Sequence, residues 1–116
     1  PSPPEGNYSK RFDSTLCVES EWLADPSEDL ILRIHCRSTI RSSAKLKIEF
    51  HEPNEFEVSE VSDVRYQLFI DQVNDACQGI VTMDYFDLYS FQYDPYGGEM
   101  STDFSGEETI LTKGPC

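Results

Sequence analysis

Basic residues nearly vanish from the second half of this chain. After Arg65 there is one, Lys113, against nine acids, a net of −8 over residues 66–116. Residues 1–65 carry 8 bases and 13 acids, a net of −5, so the 116-residue chain stands at −13. A surface of that sign repels nucleic acid and anionic membrane, so neither is an expected partner. It reads either as a solvated, solubilising face or as a surface that steers cationic proteins towards itself, and the acid-rich, aromatic second half favours the latter. Long apolar runs are missing too: nothing approaches the roughly 18 to 20 apolar residues of a membrane-crossing helix. No charged-then-apolar leader opens the chain.

Catalytic motifs are equally scarce. There is no G-x-S-x-G, no H-E-x-x-H and no glycine-rich phosphate loop. Paired carboxylates of the glycosidase kind carry no signal here, because 22 acids bring some pairs together by chance. His35 alternates outward between Arg33 and Arg37, and His51 sits in a turn, so both read as surface histidines. Asp71-Gln72-Val73-Asn74-Asp75 offers oxygens but lacks the spacing and glycine of a calcium loop, and reads as a solvated acidic loop. The expectation is a non-enzyme with no metal and no cofactor.

What is present is aromatic and disulfide-forming. Cys17, Cys36, Cys77 and Cys116 lie 19, 41 and 39 residues apart, without the short pairs of zinc or redox sites. An even count at wide spacing reads as two disulfides formed in an oxidising compartment. Three pairings are open. Asn7-Tyr8-Ser9 is a glycosylation sequon, used only in the secretory pathway. Both features point to an extracellular protein.

By length the chain is one domain. PSPPEGNYSKR, residues 1–11, holds three prolines and little to bury, and reads as a flexible leader. The domain proper is expected over 12–116. Leu30, Leu32, Ile34 and Cys36 alternate with Arg33, His35 and Arg37, and Leu46, Ile48 and Phe50 alternate with Lys45, Lys47 and Glu49, the period of half-buried strands. Ser38 to Ser43 reads as a hairpin connection. His51 to Glu55 and Asp94 to Gly98 are turns. Val64, Tyr66, Leu68 and Ile70 alternate with Arg65, Gln67, Phe69 and Asp71, predicting another strand. Further strands are predicted from Ile80 to about Met83 and from Thr109 to Thr112. The helical candidate, Ser20 to Leu30, is interrupted by Pro26. Short strands between turns predict an all-β, immunoglobulin-like antiparallel β-sandwich. Cys36 lies on the apolar face of its strand, so nested pairing, Cys36 with Cys77 and Cys17 with Cys116, is the economical choice.

The densest aromatic stretch is MDYFDLYSFQYD, Met83 to Asp94. Neither face of a strand through it is purely apolar, so a bend is expected near Asp87-Leu88. In one reading Phe86 and Leu88 pack inward and the tyrosines shield the edge of the sandwich. In the other, Tyr85, Tyr89, Phe91 and Tyr93 form an exposed patch rimmed by Asp84, Asp87 and Asp94, a partner-binding surface whose acids meet lysines and arginines.

With strands and cysteines placed, residues 12–116 resemble a ZP-N domain, the immunoglobulin-like module of egg-coat proteins. That family pairs its four cysteines first to fourth and second to third, the same nesting. Acidity, sequon and length are most like the lysin-binding repeats of the abalone egg vitelline envelope. The resemblance implies an extracellular-matrix glycoprotein that builds the coat, associates with its own kind, and binds lysin, a strongly basic sperm protein that opens the envelope without catalysis, in species-selective sperm–egg recognition. Gly114 departs from the family, where many members have an aromatic residue two before the last cysteine. The alternative is a secreted small effector or inhibitor, on an unrelated disulfide-tied β-fold, that binds a cationic protein.

Overall fold

A computed structural model describes residues 4–23 and 29–116. Its nine strands are β1 (Gly6–Asp13), β2 (Leu16–Leu23), β3 (Asp29–Cys36), β4 (Thr39–Ser42), β5 (Leu46–His51), β6 (Glu55–Val58), β7 (Ser90–Asp94), β8 (Glu99–Phe104) and β9 (Glu107–Lys113). A 3-10 turn, Glu60–Ser62, leads into helix α1 (Asp63–Ala76) between β6 and β7. All strand pairs are antiparallel, in the order β2-β1-β9-β8-β7-β6-β5-β3, and β3 pairs back onto β2. Eight strands therefore close on themselves, with β4 added beside β3 where β5 stops. The expectation of a largely β fold with two disulfides stands, but the chain also holds helix α1, so it is not all-β. The layout is a closed barrel rather than two clearly separate sheets. Closure leaves few unpaired strand edges.

The seam is made by β2 and β3, in register from Leu16 opposite Cys36 to Leu23 opposite Asp29. β3 shows the predicted alternation, with Leu30, Leu32, Ile34 and Cys36 buried. Trp22 of β2 is the largest buried side chain and makes edge-on ring contacts with Phe91, 5.0 Å away, and Phe56, 5.7 Å away. Its indole N–H donates to Ser20 Oγ at 2.9 Å, so the one polar atom of the ring is satisfied inside the core.

Several sequence expectations give way. The leader is no leader from Gly6 onward: Tyr8 is buried, and β1 pairs with both β2 and β9. Ser38 to Ser43 contains strand β4. Ser20 to Leu30 holds the end of β2 and the start of β3, and its middle, 24–28, lies outside the described residues. Val64 to Asp71 is helix, not strand, because Tyr66, Phe69, Ile70 and Val73 all need burial and only a helical repeat puts them on one face. Ile80 to Met83 is not a strand either. In β5, Leu46 is buried as expected, whereas Phe50 is half exposed and leans on Phe56 at 5.1 Å.

The disulfides are Cys17–Cys116 and Cys36–Cys77. The second joins the end of β3 to the residue that caps α1, holding the helix beside the barrel. The first ties the start of β2 to residues beyond β9. There Glu19 is buried and fully engaged: its Oε1 accepts from the Cys116 backbone N–H at 2.7 Å and its Oε2 meets Arg33 at 2.8 Å. Burial opposes the charge on Arg33, but Glu21 and Glu19 outweigh it and raise its pKa.

Candidate functional site

The aromatic stretch divides in the structure. From Ser90 it is β7, and Phe91 points into the core against Trp22. Tyr93 is half-buried, edge-on to Tyr8 at 6.1 Å. Tyr89 packs edge-on to Tyr66 at 5.0 Å, and its hydroxyl donates to Asp63 Oδ1 at 2.9 Å. Burial, then that bond, push its pKa up to about 12. Asp87 is buried and acts as a clamp: Oδ2 accepts from Asp84 N and Oδ1 from Gly106 N. Asp94 is exposed, but its Oδ1 holds the next turn through the N–H groups of Tyr96 and Gly97.

The predicted seven-residue patch is therefore not one surface. Phe91 and Asp87 are buried, Tyr89 and Tyr93 are partly so, Asp94 is exposed at the far end of β7, and the outward remnant before the bend is Asp84 and Tyr85, joined by Phe86. The physical reason is the bend. Leu88 adopts φ +57°, rare for a branched side chain, and buries completely, so the alternation of a strand fails before it. A bend there matches the expectation; of the reading that packs both Phe86 and Leu88 inward, Leu88 is met and Phe86 is not.

The bend presents a knuckle, Asp84–Tyr85–Phe86, that α1 holds from behind. Asn74 receives the Met83 N–H on Oδ1 at 2.7 Å and donates from Nδ2 to the Met83 carbonyl at 2.8 Å. The Tyr66 hydroxyl donates to the Asp87 carbonyl, and burial raises its pKa far above the ordinary phenol range. Asp71-Gln72-Val73-Asn74-Asp75 is thus part of α1 rather than a free acidic loop.

The other face of α1 faces solvent with apolar side chains. Val64, Leu68, Asp71 and Asp75 share that face by helical spacing. Tyr85 donates to Asp71 Oδ1 at 2.7 Å, which joins the knuckle to the end of the row and raises the tyrosine pKa. Val61, in the 3-10 turn just ahead of the helix, is exposed as well. Exposures are 73% for Val61, 82% for Val64, 55% for Leu68, 50% for Tyr85 and 79% for Phe86. Five large apolar side chains exposed on α1 and the segments flanking it are more than the core requires.

The segment that carries these side chains is rich in acid. Glu60, Asp71, Asp75 and Asp84 are exposed, and Asp63 is half-buried. The one base between Glu60 and Asp87 is Arg65, whose Nη1 donates to the Lys45 carbonyl at 3.0 Å. A recess of about 40 Å³ beside Leu68, lined by Ser42, Ser43, Ala44, Arg65, Phe69 and Gln72, is far below the size of a small-molecule site. The chemistry on offer is that of exposed apolar side chains in an acid-rich segment, with Arg65 beside Leu68. Sequence reasoning missed the ridge because it placed Val64 to Asp71 in a strand. The spacing of Tyr66, Phe69, Ile70 and Val73, with Gly79 shortly after, was the signal that would have found it.

Elsewhere, Asn7 of the sequon lies in β1, half-buried, with Nδ2 3.4 Å from Glu19 Oε2. Gly114 takes φ +127°, donates to the Asn7 carbonyl at 2.8 Å and accepts from Ser9 Oγ at 2.7 Å. That backbone conformation suits glycine, which accounts for the absence of an aromatic side chain there. No family model, curated protein or solved structure matches this chain.

Proposed function

We propose that this is an extracellular recognition module that binds a strongly basic protein without catalysis, using the ridge Val61–Val64–Leu68 and the knuckle Tyr85–Phe86. The observation that carries the reading is the ridge itself: exposed apolar anchors in an acid-rich segment, on a chain of net charge −13. The anchors supply area to bury, and the carboxylates supply on-rate and orientation towards lysines and arginines. Two disulfides suit a secreted protein.

The resemblance of residues 12–116 to ZP-N domains narrows the proposal. The chain is read as an egg-coat module akin to the repeats of the abalone vitelline envelope receptor for lysin, with lysin as the basic partner and neighbouring repeats as partners in coat assembly. The nested cysteine pairing and the glycosylation sequon support that reading.

The test is binding of the intact chain to lysin over a salt series. Leu68→Ala and Phe86→Ala are expected each to weaken binding by about 1–3 kcal/mol, the usual hot-spot range. The association rate should fall steeply as ionic strength rises, since the Debye length is about 8 Å at physiological salt. Full affinity in both variants, with an association rate indifferent to salt, would refute the surface.

A further inference from the structure

The outward face of the β5–β6 hairpin carries charges that neither the core nor the ridge uses. Glu49 and His51, two residues apart on β5, share a face of the strand. Glu57 of β6 stands directly opposite Glu49 in register. Like charges directly across an antiparallel pair repel. Lys47, next along the same face, is engaged with the buried Asp29 at 2.8 Å. His51, itself opposite Glu55 in the register, reaches this pair: its Nε2 lies 3.5 Å from Glu57 Oε1, long for a hydrogen bond. One ligand atom from each of Glu49, His51 and Glu57 lies within 4.8 Å of the other two.

We infer that Glu49, His51 and Glu57 form a binding site for a first-row divalent cation, Zn²⁺ foremost. Donors around a tetrahedral zinc with bonds of about 2.1 Å stand roughly 3.4 Å apart, so the three side chains need to close only slightly. Glu49 and His51 are exposed and free to do so. An ion there turns the repulsion between Glu49 and Glu57 into shared ligation. One imidazole with two carboxylates suits zinc and its neighbours, whereas calcium asks for six to eight oxygens. Three protein ligands leave a coordination position open to water or to a donor from another molecule.

A second grouping, Glu19, His35 and Cys116, is as closely spaced and serves as the internal control. Its sulfur is held in the Cys17–Cys116 disulfide, and Glu19 is occupied by Arg33 and the Cys116 N–H. It has no thiolate to offer and no free carboxylate.

Calorimetric titration of the oxidised chain with ZnCl₂, and Co²⁺ absorption as a second readout, test the inference. One site is expected, weakened about tenfold or more by His51→Ala and by Glu57→Gln, and unchanged in His35→Ala. Circular dichroism of the metal-free variants checks that each remains folded, and Glu49→Gln replaces any that does not. Absence of binding at millimolar metal would overturn the site. So would binding lost in His35→Ala but kept in His51→Ala, or equal binding in every variant, the mark of diffuse attraction to an acidic surface.

Discussion

The β2–β3 wall and the excursion from Glu60 to Leu88 use apolar residues in opposite ways. In the wall, Leu16, Val18, Trp22, Leu30, Leu32 and Ile34 are all buried, and the strands are paired over their full length. In the excursion, Tyr66, Phe69, Ile70, Val73, Met83 and Leu88 are buried, while Val61, Val64, Leu68, Tyr85 and Phe86 stand in water. The wall spends its hydrophobic content on stability. The excursion divides its content between a face that docks on the barrel and a face that the fold does not need, and only the second is free for recognition.

The difference is sharpest under substitution. Trp22→Ala removes the ring that Phe56 and Phe91 pack on, and should cost about 3–5 kcal/mol in a urea unfolding curve. A loss below about 1 kcal/mol would mean the wall is not the stabilising centre. Next is the cross-link between the two regions. Cys36→Ala with Cys77→Ala, opening a bridge of sequence separation 41, should cost about 2–5 kcal/mol. Hydrogen exchange should then rise first in α1, because the bridge holds its C-terminal end to β3. Equal loosening of β2 and α1 would make the two regions one cooperative unit.

Smaller effects belong to the ridge. Val64→Ser is expected to move stability by no more than about 0.5 kcal/mol, since its side chain is almost wholly solvated. A large loss in the same urea assay would show that the face is structural after all. Last is an alkaline effect on the tyrosines packed in and beside the excursion. Tyr89 is raised from 10.0 to about 12, and Tyr66 and Tyr85 are raised as well. A raised folded-state pKa means full stability below pH 10 that drains away as pH climbs from 10 towards 12. Tyr89→Phe should flatten that decline in melting temperature. An unchanged slope would place the sensitivity elsewhere.

Much of the strand content was legible because period-two alternation is a local signal. β3 is the clear case, where Leu30, Leu32, Ile34 and Cys36 are predicted inward and found buried. The excursion was harder to read. Its residues 64, 66, 68 and 70 satisfy a strand template, and the helix is preferred only once Phe69 and Val73 must also find the core. In the aromatic stretch, whether a ring is interior depends on what stands opposite it: Phe91 is core because Trp22 of a strand distant in sequence meets it.

The sequence alone determined charge, the oxidising compartment implied by four widely spaced cysteines, the inward face of β3 and the existence of a bend in the aromatic stretch. These follow from residue chemistry and short-range geometry. Tertiary structure decided the closure of β3 onto β2, the recruitment of Gly6–Asp13 into the sheet, and which hydrophobic residues stay outside. Those depend on pairings between distant segments, whose free energy is shared among many residues and written in no single stretch of chain.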